Sequence, residues 1–356
     1  MAEFRTPQRD HYTEVTDKII ASLEAGTPPW RRPWDPNKVP CGGPRNGVSG
    51  HRYRGINTLL LGMTPEMFES GDPRWLSYKQ AAERGWHVRK GEKSTAILFF
   101  KKVQLRESGD PTTDEPKTVP VLRSYAVFHA SQVDGITAYA PPSATEVPWR
   151  TPESAAVIVA RSGVVLREGG ERAFYSPSTD HVQLPPRIAF ESPQGWASTV
   201  MHELGHWSGH PSRLDRNLSG RFGDKSYAME ELRAELASAF IGNELGIPAQ
   251  IDQHASYVGS WLDVLRQDKR EVFRAAADAQ RIADFLLAFH PLYAARIAAE
   301  TAANTVADPS TSEPIVIQAG PMPGHVRRSL GLDRQAVPAE MVAAMSEIPA
   351  SSFRPR

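Results

Sequence analysis

The stretch from Gln194 to His210, QGWASTVMHELGHWSGH, constrains this chain more than any other. It places His202 and His206 four residues apart. On an α-helix that spacing turns both imidazoles to one face, where they can share a metal ion. Glu203 follows the first histidine and can take a proton from a metal-bound water as general base. The helix limits are written locally. Ser192 suits the N-cap, Pro193 the first helical position, and Gly209 with Pro211 ends the run. Ala197, Val200, Met201 and Leu204 supply an apolar face for packing.

Two histidines need a third protein ligand, with a fourth position left for water. In the metzincin arrangement a histidine at 212 would supply it, but Ser212 stands there and His210 comes too early. Downstream, YAMEELRAE (Tyr227 to Glu235) opens a second helix on which Glu231 and Glu235 share a face. This helix resembles the glutamate helix of gluzincin metallopeptidases. The resemblance implies Glu231 as third ligand and Glu235 as the carboxylate that orients a ligand histidine. Spacing alone lets the two exchange roles. The expected ion is Zn²⁺ or a neighbour such as Mn²⁺. A solitary HExxH also occurs on ordinary amphipathic helices, but the bounded first helix and the diacid second helix argue together for a metal site.

A chain of 356 residues has room for two domains, each with its own core. The expected division is 1–145 and 151–302, joined at EVPWRT (Glu146 to Thr151) and followed by a mobile Pro/Ser/Ala/Gly-rich tail, 303–356. Lys/Arg and Asp/Glu balance at 41 each, but unevenly: Met1 to Arg106 holds 18 basic against 11 acidic residues, an excess of +7. Such asymmetry suggests different partners for the two halves. Cys41 is the single cysteine, which excludes a disulfide framework and a thiolate metal cluster. No stretch is long enough to span a bilayer, so a cytoplasmic protein without a membrane partner is expected.

The first half reads as α+β with an antiparallel sheet. Asp10 can cap a helix ended by Gly26, and strands are expected over Ser94 to Phe100 and Val119 to Phe128. Four basic segments carry aromatics. Trp30-Arg31-Arg32-Pro33-Trp34 sits among prolines that exclude helix. Arg52-Tyr53-Arg54 follows, then Lys79 in WLSYKQAA and Arg89, Lys90 and Lys93 in GWHVRKGEK. Indole faces can stack on unpaired bases and guanidiniums can pair with phosphates, making these the candidate contacts to single-stranded DNA. For Trp taken alone, anchoring the loop onto the domain is the commoner outcome.

The blocks YTEVTDKIIASLEAGTPPWRRPW, YRGINTLLL, WLSYKQAAERGWHVRKGEKST and YAVFHASQVDGI resemble the N-terminal domain of ArdC-like antirestriction proteins. That domain also fronts some plasmid-encoded primases used in conjugation. The likeness covers roughly residues 10–140, in several separate blocks. It implies a single-stranded DNA-binding domain followed by a zincin-like metallopeptidase domain, and it extends to about residue 292. Within the second half, short strands are expected at Ala173 to Ser176 and His181 to Leu184. A polar loop from Arg213 to Ser226 could overhang the cleft. Three functions follow: shielding of incoming DNA, peptidase action on a host protein with the first domain as targeting module, or a zincin scaffold with a purely structural metal.

Overall fold

A computed structural model describes residues 10–26, 28, 30, 42–106, 117–140, 150–219, 224–247, 255–304 and 315–318. Arg31, Arg32, Trp34 and Cys41, most of the linker, and the tail beyond 318 lie outside the described residues.

Helix α1 (His11–Glu24) begins where the Asp10 side chain accepts the Thr13 N–H. After β1 (Arg45–Asn46) come α2 (Ile56–Gly62), α3 (Pro65–Ser70), β2 (Arg74–Leu76) and α4 (Tyr78–Glu83). Ser77 and Gln80 form a reciprocal capping box at the start of α4. Short β3 (His87–Val88) leads to the long strands β4 (Thr95–Arg106) and β5 (Lys117–His129), then β6 (Val133–Asp134). The second half adds α5 (Glu153–Ser162), β7 (Val165–Glu168), β8 (Phe174–Ser176) and β9 (His181–Leu184). Five helices follow: α6 (Pro193–Trp207), α7 (Lys225–Leu245), α8 (Ala255–Gln267), α9 (Glu271–Leu287) and α10 (Pro291–Asn304). A last strand, β10, spans Ile315–Gln318.

The α+β class holds, with a sheet domain first and a helical zincin-like domain second. The main sheet runs β1-β2-β5-β4-β10. It is antiparallel at its centre but parallel at both edges, β1 on β2 and β10 on β4, so it is mixed. The reason is connectivity: α2 and α3 form a crossover between β1 and β2, and β10 arrives after the whole helical domain. The mobile tail expected from residue 303 is corrected in part. Helix α10 runs to Asn304, and the β-branched run IVIQ pairs with Val103 to Arg106. The second sheet has the order β7-β9-β8, which leaves β8 at an edge.

The expectation of two separate cores is corrected. One apolar cluster runs from Val15, Ile19, Leu23 and Trp30 through Ile56, Leu59 and Leu98 into Leu204, Leu236, Trp261 and Phe273. Two small clusters, around Trp75 and around Leu76, belong to the first sheet alone. Helix α1 is fastened polar group by polar group as well: Thr16 Oγ1 donates to Lys269 O at 2.7 Å, and Arg266 meets Glu24 at 2.5 Å. Among the described residues no single helix is long and apolar enough to cross a membrane.

Candidate metal centre

Ser192 Oγ accepts the Gly195 N–H at 3.1 Å and Pro193 opens α6, so the helix starts as its sequence dictates. Buried Trp196, Ala197, Val200, Met201 and Leu204 seat it in the core, which turns His202 and His206 toward α7. Gly205 sets how close the two helices come. A Cβ there would stand 3.3 Å from Ala234 Cα and 3.4 Å from Ala234 Cβ. Bare backbone at 205 therefore allows the approach, and Ala234 lies between Glu231 and Glu235.

His202 Nε2 and His206 Nε2 are 3.2 Å apart. Glu231 reaches both: one carboxylate oxygen lies 3.5 Å from His202 Nε2 and the other 3.5 Å from His206 Nε2. Glu235 instead faces the far nitrogen, His202 Nδ1, at 3.8 Å. One ligand atom from each of His202, His206 and Glu231 lies within 4.8 Å of the others. Two imidazole nitrogens and a carboxylate oxygen, backed by further carboxylates, suit a divalent ion with one position left open.

Burial alone would disfavour a charged His202, yet Glu231, Glu203 and Glu235 raise its pKa to about 9. Glu231 runs the other way. Burial opposes its charge, but the two histidines and the Tyr227 hydroxyl hold it down to about 2. Glu203 is buried beside them, and desolvation pushes its pKa up despite an accepted bond from the Tyr175 N–H on β8.

Sequence reasoning missed five residues here. Glu230 Oε1 lies 3.4 Å from His206 Nδ1, the counterpart of Glu235 at His202. Arg216 fixes it, donating to Glu230 at 2.7 Å, to Gly205 O at 2.6 Å and to Ser208 Oγ at 2.8 Å. Arg213 binds Trp207 O and Asp180, so the described part of the 213–226 loop is pinned down rather than overhanging. Tyr227 donates to Glu231, and its hydroxyl is 3.4 Å from that of Tyr257. The Glu230-Glu231 doublet was the one local signal; the tyrosines gave none.

An aromatic series continues outward. Tyr257 stacks on Trp261 at 6.4 Å, and Trp261 meets Trp30 edge to face at 5.6 Å. Trp30 is only 6 % exposed, which corrects its assignment to base stacking: the ring closes the shared core. Arg52 is likewise committed, to Glu244, to Glu300 at 3.3 Å and to Tyr293 Oη at 3.1 Å, and Arg54 pairs with Asp284. Neither guanidinium is free for phosphate, because acids of the second half meet them. The half-buried Tyr53 hydroxyl accepts from Asn46 at 3.3 Å. Arg89 is exposed but pairs with Glu92 at 2.8 Å, and exposed Lys79 lies 3.7 Å from Glu83, whereas Lys90 and Lys93 stand in solvent. The structure does not gather these residues into one surface with Trp30 or Arg52.

Comparison with known proteins agrees with this architecture. Residues 9–128 match the N-terminal domain of the anti-restriction factor ArdC, and residues 153–278 match a zincin-like metallopeptidase domain. The chain is 44 % identical over 304 residues to an Escherichia coli DNA primase TraC, covering 81 % of this chain but 28 % of the primase. A second primase TraC from that species is 43 % identical, with 20 % of it covered. The uncharacterized protein y4eC of Sinorhizobium fredii is 40 % identical over 294 residues, 80 % of this chain and 95 % of that protein. The metal-free crystal structure of antirestriction ArdC from the R388 plasmid superposes with TM-score 0.66 at 41 % identity, over 79 % of this chain and 98 % of that one. Its Mn(II)-bound structure gives 0.64 at 38 %, over 80 % and 99 %. The fold shared along nearly the whole of ArdC, and the sequence shared along nearly the whole of y4eC, place this chain in the ArdC antirestriction family, with a zincin-like metallopeptidase domain as its second half.

Proposed function

We propose that this protein binds single-stranded DNA of an incoming mobile element in the cytoplasm and carries a metal-dependent peptidase that acts on a protein there. One observation carries the enzymatic half: two Nε2 atoms and the Glu231 carboxylate converge on one point, with Glu203 buried beside it. In this reading His202, His206 and Glu231 hold the ion, Zn²⁺ or, as in the R388 relative, Mn²⁺. Glu235 and Glu230 orient the two imidazoles through their far nitrogens. When bound, the ion supplies Lewis-acid polarisation of a carbonyl and an acidified water. Glu203 takes the proton of the attacking water on its carboxylate and returns it to the departing amine. The edge strand β8, tied to Glu203 through the Tyr175 N–H, can align an extended peptide by main-chain hydrogen bonds.

The DNA-binding half rests on ArdC membership and on the +7 excess of residues 1–106. The test combines metal analysis with peptidase assays on the full chain. His202→Ala with His206→Ala should remove the ion, whereas Glu203→Gln should keep it and lose about 10²–10⁴-fold in rate. Equal metal content in the double variant would sink the site. A fully active Glu203→Gln would move the chemistry elsewhere.

A further inference from the structure

The hairpin of β4 and β5 holds two large rings in solvent. Phe99 is 44 % and Tyr125 51 % exposed, and they meet edge to face with centroids 5.8 Å apart. Register explains the pairing. Phe99 lies opposite Arg123 and Tyr125 opposite Ile97, so the two rings are diagonal neighbours on one face, with Arg123 beside them. Nearer the domain that same face is core: Ile97 and Val127 pack with Leu61, Met67 and Trp75. Beyond them the face emerges from the protein and changes character.

Charge singles this surface out. The twelve residues of β4 and thirteen of β5 include no acidic residue, and by register Lys101, Lys117 and Arg123 fall on the face of Phe99 and Tyr125, Lys102 and Arg106 on the other. The acids of this region, Glu107, Asp110, Asp114 and Glu115, all fall in the connecting segment. Among the described residues Arg123 has no ion-pair partner, whereas Arg52, Arg54 and Arg89 are all engaged. Flat π-faces next to the Arg123 guanidinium match a chain of unpaired bases on a phosphate backbone. A duplex hides its base faces and would lose the stacking contribution.

We propose that Phe99, Tyr125 and Arg123 form a base-stacking platform for single-stranded DNA, in place of Trp30 and Arg52. This rests on the DNA-binding half of the function proposed above. The platform also stands apart from the metal ligands, so its variants leave metal content unchanged.

The test is fluorescence anisotropy of a labelled oligothymidylate with the full-length protein over a salt series. Phe99→Ala with Tyr125→Ala should weaken binding by roughly tenfold or more and leave the salt slope as in the wild type. Arg123→Gln should instead flatten the log–log salt slope by about 0.7, the value of one phosphate contact on a single strand. Tyr125→Trp should retain affinity and show quenched indole emission on binding. All three positions are exposed, so melting temperatures should match the wild type. If the wild type binds and the double alanine variant binds equally well, the platform is overturned and the face is left for a protein partner. An unquenched Tyr125→Trp complex overturns it too. A wild type without affinity at low salt removes the DNA reading itself, and the platform with it.

Discussion

Two clusters of buried charge use similar side chains to opposite ends. Around the metal centre stand Glu203, Glu230, Glu231 and Glu235, two imidazoles, and the guanidinium of Arg216. At the junction between the halves, Glu244 stands among Arg52, Arg150 and Arg45, which hold its pKa down against the cost of burial. The first cluster has a surplus of acid, which a divalent cation would complete. In the second, guanidiniums already supply the positive charge and the valence is closed. Burial of a carboxylate therefore does not by itself mark a ligand. The sign of the surplus charge around it does.

The largest effect that would test this contrast is at the junction. Glu244→Ala leaves Arg52 buried with much of its pairing gone, which should cost about 3–5 kcal/mol in urea unfolding while metal content stays unchanged. Replacing both partners by apolar residues, Arg52→Met with Glu244→Leu, should recover much of that loss. If Glu244→Ala lost metal at full stability, the two clusters would not be the separate devices described here.

Next in size is Trp30, the ring that joins the halves through Trp261. Trp30→Ala should cost about 3 kcal/mol by opening a cavity in the shared core. DNA affinity per folded molecule should not change. A DNA-specific loss at unchanged stability would return Trp30 to the binding surface.

What was legible in the sequence, and what was not, follows distance along the chain. His202, His206 and the cap at Ser192 are set by spacings within one helix, and Glu231 within the next. Whether Glu231 or Glu235 faces the shared point depends on how α7 docks on α6, so the spacing left both open. Arg52 looked like a phosphate ligand because its partner lies 192 residues away. A basic residue beside an aromatic reports its own charge, not the acid that folding will bring to it. The same blindness hid Trp261 behind Trp30 and concealed the single core beneath two family-matched halves.

A smaller effect probes the metal side. Arg216→Ala should release Glu230 and loosen His206, lowering metal affinity about 10–100-fold, or roughly 1.4–2.7 kcal/mol. Competition with a chelating dye measures this directly. Glu203→Gln offers the control, since it touches the proton acceptor and not the ligands. An Arg216→Ala protein with wild-type affinity would show that Glu230 holds its place without the guanidinium.

The smallest effect belongs to Asp10, where an acid and an amine meet at the solvent edge of the same junction. Asp10 caps α1, and its Oδ2 lies 2.5 Å from Lys269 Nζ, just before α9. Its small burial raises the carboxyl pKa, but bonds from Lys269 and Thr13 outweigh this and bring it from 3.8 to about 2. The folded pKa is thus below the unfolded one. The carboxylate contributes stability that is present above about pH 4 and lost as pH falls through about 2. Asp10→Ala should cost about 1 kcal/mol at neutral pH, nearly all from the cap, because an exposed ion pair is worth well under 1 kcal/mol. Asp10→Asn keeps the cap and should show only the smaller loss. Urea unfolding across this pH range reads the gap between each variant and the wild type. An Asp10→Ala gap that stayed constant down to pH 2 would mean the ionised carboxylate is not its source. A gap as large as that of Glu244→Ala would mean that burial does not set the worth of a charge pair in this molecule.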